Sequence, residues 1–249
     1  MQYREYLSEV SASQFSRLLP DDDDDVREYR RVVGTAAAVM LGGIPMSAGE
    51  GKIMGQGEFE EGGSFETGTI GRRGTGEAIP FTLLHPEDPG RSLVVWFDGL
   101  SGKAGLFDKQ GQPRPAVARL LSKGHTVVAA DVFLTGELVS VGQPTTRVAV
   151  HNSFLGYTYG YNRPALTHRV QDVLTTMKTF STRIRPRRVH LVGTRGAGTW
   201  ILLARAVQGR RRIKGMTVAD INGFSFGGIT RRDDPMLLPG ALKYGGLGG

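Results

Sequence analysis

The stretch VHLVGTRGAG, residues 189–198, decides the fold of this chain. Its first five residues are a short, mostly apolar run, which is typical of a β-strand buried on both faces. Small residues follow at 196–198, and the apolar run TWILLARAV comes directly after them. The stretch therefore predicts a strand over 188–193, a sharp turn, and a helix over 197–207.

The same rhythm of apolar strands and amphipathic helices extends to both sides of this stretch. Strands are predicted over 92–97, 125–133 and 213–219, and helices over 115–123 and 163–181. Strands that alternate with helices form a mostly parallel, doubly wound sheet with helices on both faces. Right-handed connections restrict the order in which these strands can lie side by side.

The first part of the chain has a different pattern. Helices are predicted over 2–18 and 26–41, and antiparallel strands near 66–70 and 79–84. The segments 42–76, 134–162 and 223–249 are interpreted as long loops. The aspartate run 21–25 is expected to precede a helix, because negative charge is favourable at a helix N-terminus. We expect one domain over 1–249, with a helical extension over 1–45 and the sheet with its helices over 46–249.

Composition narrows the function classes. The chain has 249 residues, a mean hydropathy of −0.20 and no cysteine, so thiol chemistry and disulfides are excluded. No run of about 18 apolar residues is present, so a membrane partner is not expected. The N-terminal residues MQYREYLSEV carry charges where a signal peptide needs an apolar segment. Localisation and oligomeric state are therefore left open.

The net charge of +7 raises the question of an anionic partner. Much of the excess lies in two basic segments, 183–188 and 210–214, each close to the start of a predicted strand. Neither segment contains aromatic residues that could stack on bases, so a nucleic-acid partner is not expected. We interpret both segments as a solvated rim of the sheet, and an acidic polysaccharide stays open as an alternative.

The residue at the apex of the predicted turn would carry the chemistry. In the motif G-x-S-x-G, a strained strand-to-helix turn exposes a serine nucleophile above the sheet. The frame 193–197 of this chain puts Arg195 at that position, and the frame 194–198 puts a glycine there. Neither residue is a nucleophile, and the neighbouring Thr194 and Thr199 are the remaining candidates.

Five stretches support a more specific comparison. They are LVVWFDGLSGKAGLFD (93–108), HTVVAADVFLTGE (125–137), GYTYGYNRPALTHRVQDVLTTMKTF (156–180), VHLVGTRGAGTWILLARA (189–206) and VADINGFSFGG (218–228). Together they resemble the α/β-hydrolase superfamily, in particular its acetyl-xylan-esterase-like and dienelactone-hydrolase-like proteins. The resemblance implies an α/β-hydrolase fold and an ester substrate such as an acetylated polysaccharide, with no cofactor and no metal. Its topology, with right-handed connections, also implies that the parallel strands lie in the order 125–131, 93–97, 189–193, 213–219.

The resemblance also implies roles for single residues. The loop Asp98-Gly99-Leu100 corresponds to the family's oxyanion loop, which donates a backbone N–H. Asp220 corresponds to the triad acid of some members. Arg195 stands at the nucleophile position in place of serine.

Two departures from the family bear on activity. The serine is absent, and the family's histidine should follow the turn in the chain. All histidines of this chain instead precede the turn; they are His85, His125, His151, His168 and His190. The sequence therefore predicts a pseudoenzyme without a Ser-His-Asp triad, and a fragment that lacks the last strands of the fold. Relatives that act on polysaccharides are often exported.

Two other functions stay open. The N–H groups of 193–198 could hold the phosphates of a dinucleotide, because a helix N-terminus favours anions. The second alternative is a non-catalytic domain that binds a carbohydrate or a protein partner.

Several side chains near the strand ends have both a structural and a functional interpretation. Asp131 is expected to cap a turn, and Lys103 to form an ion pair rather than bind an anion. Three tyrosines either line a sugar-binding cleft or pack against the protein; they are Tyr157, Tyr159 and Tyr161. A pair on the 163–181 helix that also matches the family is interpreted as structural; it consists of Arg169 and Asp172.

Overall fold

The structure is a computed structural model that describes residues 3–59, 62–139, 145–151, 153–208 and 214–248. Within these residues, seven strands form one sheet. The strands are β1 (Glu50–Glu58), β2 (Ser64–Gly71), β3 (Ile79–His85), β4 (Ser92–Asp98), β5 (His125–Ala130), β6 (Arg188–Thr194) and β7 (Thr217–Ala219). The helices are α1 (Tyr3–Ser16), α2 (Asp23–Met40), α3 (Pro115–Leu121), α4 (Leu155–Tyr161), α5 (Ala165–Ile184) and α6 (Gly198–Val207).

The sheet confirms the predicted strand order. Its strands lie in the order β1-β2-β3-β5-β4-β6-β7, so the four strands predicted to be neighbours are adjacent. β5, β4, β6 and β7 are parallel, whereas β1, β2 and β3 pair antiparallel and β3 joins β5 antiparallel. The carboxyl ends of the four parallel strands meet at one side of the sheet, which we call the carboxyl edge. Their amino ends meet at the opposite side, the amino edge.

Helices cover both faces of the sheet because β4 is apolar on both sides. Successive side chains of a strand point to opposite faces. Leu93, Val95 and Phe97 belong to the larger buried cluster, which includes residues of α5 and α6. Val94 packs on the other face with Val117 of α3. Burial of each such side chain contributes about 1.5–3 kcal/mol, so the doubly wound architecture follows from this apolar strand.

The helices begin where local chemistry favours them. Asp22 caps α2, and its carboxylate accepts the N–H groups of Asp24 at 2.8 Å and Asp25 at 2.9 Å. This satisfies two of the N–H groups that have no partner inside a helix. The run was predicted to precede the helix, but α2 begins at Asp23, so three of the aspartates lie in its first turn, where their charge is favourable. In the described part of the chain, no helix is both long and apolar enough to cross a lipid bilayer.

Two predicted loops are wrong. The segment 42–76 contains β1 in addition to the strand predicted near 66–70, which is confirmed as β2. Its glycines permit β1 and β2 to approach: a Cβ at Gly68 would lie 2.1 Å from the carbonyl oxygen of Lys52. The segment 134–162 contains α4. The strand predicted over 213–219 is shorter in the structure, Thr217–Ala219. Residue 213, where it was predicted to begin, lies outside the described residues, and so does residue 2, where the first helix was predicted to begin.

Candidate functional site

The turn between β6 and α6 has the geometry that the sequence predicts. Arg195 lies at its apex with a φ of +52°, in the left-handed region that non-glycine residues rarely adopt. The turn is tight because β6 approaches α6 closely: a Cβ at Gly193 would lie 2.8 Å from the carbonyl carbon of Ala197. A strained residue at a strand-to-helix turn is the defining feature of a nucleophile elbow. That this apex corresponds to a nucleophile position stays a prediction.

The Arg195 side chain is bound to Asp98 at the end of the neighbouring strand β4. Its Nε and Nη2 lie 2.7 and 2.6 Å from Oδ2 of Asp98, and Nη2 also lies 3.3 Å from the hydroxyl of Ser101. The ends of the neighbouring strands β4 and β6 are therefore joined by a direct ion pair. The Asp98 side chain is only 4% exposed and that of Arg195 is 37% exposed, so the ion pair is partly shielded from water.

Asp98 has further donors that use its remaining acceptor capacity. Its Oδ1 accepts the N–H groups of Leu100 at 3.0 Å and Ser101 at 2.8 Å. Its Oδ2 also accepts the hydroxyl of Thr194 at 2.9 Å. A carboxylate with this many protein donors has little acceptor capacity left for a bound molecule.

The N–H groups of the predicted oxyanion loop are already bonded within the protein. Gly99 donates to the carbonyl of Thr194 at 2.9 Å, and Leu100 donates to Asp98. Gly99 also permits the loop to approach the apex, since a Cβ there would lie 2.1 Å from the carbonyl oxygen of Arg195. The loop therefore lies beside the apex, as the sequence resemblance implies, and the N–H groups of Gly99 and Leu100 are both bonded within the protein. Its role in binding an oxyanion stays a prediction.

Asp220, which follows β7, bonds to the backbone of the same turn. Its carboxylate accepts the N–H groups of Arg195 and Asn222, both at 2.8 Å. Its carbonyl oxygen accepts the N–H groups of Gly196 at 3.2 Å and Gly198 at 3.0 Å. Three N–H groups of the 193–198 turn thus donate to Asp220. An oxyanion or a dinucleotide phosphate would need such groups free, so this arrangement argues against both ligands here.

The two threonines near the apex differ in environment. The Thr194 hydroxyl accepts the indole N–H of Trp96 at 3.1 Å while it donates to Asp98, so both of its hydrogen-bonding roles are used. Thr199 is fully buried, and its hydroxyl has no partner among the described residues. Thr199 is therefore not accessible to an external substrate.

The histidines have other partners. His85 lies 3.1 Å from Glu66, and the rings of His125 and His190 pack edge to face with centroids 6.0 Å apart. His168 packs on Phe133, and burial lowers the pKa of its imidazole. His151 accepts two N–H groups of its own loop. Within the described residues, no histidine is hydrogen-bonded to the 193–198 turn.

Asp131 and Lys103 form a structural link between two loops of the carboxyl edge. Asp131 is 1% exposed and accepts the N–H groups of Lys103 at 2.6 Å and Glu137 at 3.0 Å. The Lys103 ammonium lies 3.3 Å from Asp131 and is also bonded to Glu137. The turn-capping interpretation of Asp131 and the ion-pair interpretation of Lys103 are both confirmed.

Arg169 and Asp172 of α5 hold the backbone of Phe133, which lies three residues after the end of β5. Arg169 donates to its carbonyl at 3.1 Å, and Asp172 accepts its N–H at 2.7 Å. Burial lowers the pKa of Arg169 to about 10 and raises the pKa of Asp172 to about 7. The Arg169 guanidinium also lies over the ring of Trp200, 5.0 Å from its centroid. The structural interpretation of this pair is confirmed.

The tyrosines of α4 do not share one environment. Tyr159 donates its hydroxyl to the carbonyl of Arg232 at 2.8 Å and so anchors the helix. Tyr157 and Tyr161 are 57% and 84% exposed. The described contacts do not place them against the 193–198 turn, so a common sugar-binding cleft stays a prediction.

Sequence reasoning missed Ser101, which bonds to both members of the ion pair. The order Asp98-Gly99-Leu100-Ser101 is a signal that could have found it, because an aspartate often accepts N–H groups two and three residues later. No group of three or more histidine and carboxylate side chains within the described ranges is arranged to hold a metal ion.

No family model and no curated protein matches the sequence. A candidate acetyl xylan esterase from Bacteroides fragilis superposes with a TM-score of 0.64 and is 14% identical, covering 88% of this chain and 63% of its own. A candidate lipase from Sulfolobus solfataricus has a TM-score of 0.50 and 13% identity, covering 73% of this chain and 54% of its own. This chain therefore spans less than two thirds of the length of either protein.

Likeness at this level of identity establishes the fold and nothing finer. The chain has the α/β-hydrolase fold, with a mixed, mostly parallel sheet flanked by helices. The fold that the sequence resemblance implied is confirmed.

Proposed function

We propose that this chain is a non-catalytic protein of the α/β-hydrolase fold that binds an ester-bearing carbohydrate without hydrolysing it. The observation that carries the proposal is the residue at the apex of the strand-to-helix turn. Arg195 occupies it, and two of its guanidinium nitrogens lie 2.7 and 2.6 Å from a carboxylate oxygen of Asp98.

Ester hydrolysis by this fold needs a nucleophile, a histidine base and N–H groups free to bind an oxyanion. A guanidinium is cationic and has no acceptor lone pair, so it cannot attack a carbonyl carbon. The three N–H groups of the turn that donate to Asp220 would have to be released before they could bind an oxyanion. The Thr194 hydroxyl donates to Asp98, which itself is held by Arg195.

The binding part of the proposal is supported by apolar surface at the carboxyl edge. Leu100 and Phe133, which follow β4 and β5, are 48% and 38% exposed. Exposed apolar and aromatic side chains are a common way to hold the face of a sugar ring in a shallow site. The choice of an acetylated polysaccharide rests on analogy with the fold of the candidate acetyl xylan esterase.

Two assays test the proposal. In the first, the unaltered chain and Arg195→Ser are incubated with p-nitrophenyl acetate and with a phosphonate that labels activated serines. We expect no hydrolysis above background and no label on either protein, because a serine without a histidine base is not activated. Hydrolysis by the unaltered chain would contradict the proposal.

The second assay is affinity electrophoresis in gels that contain acetylated or deacetylated xylan. We expect retardation by acetylated xylan, and a weaker effect for Leu100→Asp. Leu7→Asp is the matched control, since Leu7 of α1 is 47% exposed and Leu100 is 48% exposed. Equal retardation of the two variants would show that acetylated xylan does not bind at the carboxyl edge, which would contradict this part of the proposal.

A further inference from the structure

Five cations lie together at the amino edge of the sheet. Arg187 and Arg188 donate their N–H groups to the carbonyl of Arg91 at 2.8 and 3.4 Å, and Val189 donates to the carbonyl of Lys214 at 2.8 Å. These bonds place the starts of β4, β6 and β7 side by side. Arg185, two residues before Arg187, ends α5 at the same place. We call this set the basic edge; it consists of Arg91, Arg185, Arg187, Arg188 and Lys214.

The side chains of the basic edge are exposed and have no counter-charge. All five residues are exposed to solvent. Within the described ranges, none of their side chains has an ion pair or a hydrogen bond. The nearby Arg183 shows the contrast, because both carboxylate oxygens of Glu66 lie 2.7 Å from its Nη2. Charges of one sign that stand together without partners create a field that attracts a polyanion.

We propose that the basic edge binds a linear acidic polysaccharide through its carboxylate or sulfate groups. Four of the five cations are arginines, whose planar guanidinium matches the two oxygens of a carboxylate. Adjacent strands are about 4.8 Å apart, so the starts of β4, β6 and β7 present a row of charges rather than a single pocket. A chain polymer with regularly spaced anions fits such a row.

The other common polyanions fit this surface less well. Single-stranded nucleic acids bind through aromatic side chains that stack on the bases. The exposed large aromatic residues of the described chain lie in or next to α1 and α4 and at the carboxyl edge, away from the strand starts. Duplex DNA is read by a helix or a two-stranded ribbon in the major groove, whereas these cations come from strand starts and a helix end. Neither feature of nucleic-acid recognition is present among the five residues.

Nearby acidic side chains limit the proposed binding surface on one side, because they would repel a polyanion. Gly90 donates to the carbonyl of Gly124 at 2.8 Å, which places the loop containing Glu87 and Asp88 beside the start of β5. These carboxylates lie on the β3 side of the edge, away from β6 and β7. A bound polyanion would therefore run from β4 toward β7.

The inference is independent of the proposed function, because the basic edge and the 193–198 turn lie at opposite ends of the strands. The test is binding of the full chain to immobilised polygalacturonate at low and high salt. Arg187→Glu/Lys214→Glu is compared with Arg30→Glu/Lys52→Glu, which makes the same change in net charge on α2 and β1. We expect binding that weakens with salt, and a loss of about tenfold or more for the first pair only.

Tests with other ligands show which class of anionic molecule the basic edge binds. Neutral xylan, duplex DNA and vesicles of phosphatidylserine are tested beside polygalacturonate and heparin. Binding to either acidic polysaccharide that the first pair abolishes supports the proposal. Equal losses for both pairs, or no binding to either acidic polysaccharide, whether or not DNA or vesicles bind, would overturn it. Circular dichroism and thermal unfolding of each variant confirm that the fold is intact.

Discussion

At the carboxyl edge of the sheet, Arg195 is bonded to Asp98 and Lys103 to Asp131, whereas at the amino edge Arg187 and Lys214 have no such partner in the described chain. Both edges belong to the same parallel strands and both carry basic side chains. The difference lies in the carboxylates. Strand ends at the carboxyl edge contribute Asp98, Asp131 and Asp220, and the described starts of β4, β6 and β7 contribute none.

This difference predicts that the charges of the carboxyl edge contribute to stability and those of the amino edge to binding. A buried carboxylate that loses its partners is costly, so the paired charges of the carboxyl edge hold two loops and a turn in place. Exposed unpaired cations repel one another and gain only when an anion arrives. We therefore expect substitutions at the carboxyl edge to lower stability, and substitutions at the amino edge to leave it unchanged or raise it.

The largest expected effect is that of Asp98→Ala. It would leave the guanidinium of Arg195 and the N–H groups of Leu100 and Ser101 without their acceptor. The free energy of unfolding should fall by about 3 kcal/mol, the scale for breaking a shielded ion pair and leaving donors unsatisfied. Urea unfolding followed by circular dichroism measures the change.

Two further variants give that experiment its controls. Glu137→Ala removes an exposed partner of Lys103, whose other partner Asp131 remains, and should cost less than about 1 kcal/mol. The double variant Asp98→Ala/Arg195→Ala should recover part of the loss, because the unpaired guanidinium is gone. If Asp98→Ala costs no more than Glu137→Ala, the ion pair at the apex contributes nothing to stability.

The next effect concerns pH. Burial raises the pKa of Asp172 to about 7, although the N–H of Phe133, Arg72 and Arg169 lower it. In the unfolded chain an aspartate has a pKa of about 3.9. Between these values the native state binds more protons than the unfolded state, so this group's contribution to stability falls as pH rises from about 4 to about 7.

Asp172→Asn should remove that dependence, since asparagine is neutral and still offers an oxygen to the N–H of Phe133. The difference in unfolding free energy between variant and unaltered chain should grow with pH by up to about 1.4 kcal/mol per unit and level off above pH 7. Urea unfolding from pH 4.5 to pH 8 measures it. A constant difference across this range would show that Asp172 is ionised in the native state throughout.

The fold was largely predictable because its signals are local. The apolar runs of β4, β5 and β6 are buried strands in the structure. Their order follows from the topology that the hydrolase resemblance implied, together with right-handed connections. β1 was missed because GKIMGQGE has three glycines and polar residues in a strand that is mostly exposed. β1 forms because it pairs with β2, and the pattern of residues within β1 alone does not indicate that pairing.

The candidate site was predictable only in part. The position of Arg195 at a tight turn follows from the small residues around it, and its contact with Asp98 follows from the adjacency of β4 and β6. The hydrogen bonds that engage Asp220 and the predicted oxyanion loop could not be read from the sequence. They depend on rotamers and on distances between loops that only the assembled sheet determines.

The smallest expected effect is at the amino edge and has the opposite sign. Arg188→Gln removes one of several like charges that stand together without a carboxylate partner in the described chain. The free energy of unfolding should rise by a few tenths of a kcal/mol, roughly the scale of exposed charge pairs. The gain should disappear at high salt, because counter-ions screen the repulsion between exposed charges. Arg27→Gln is the control: Arg27 is also exposed to solvent but is bonded to Asp24 on α2, so its removal should not stabilise the chain. Thermal unfolding at low and high salt compares the two variants. If Arg188→Gln destabilises the chain at low salt, then Arg188 has a favourable partner and the contrast between the two edges does not hold.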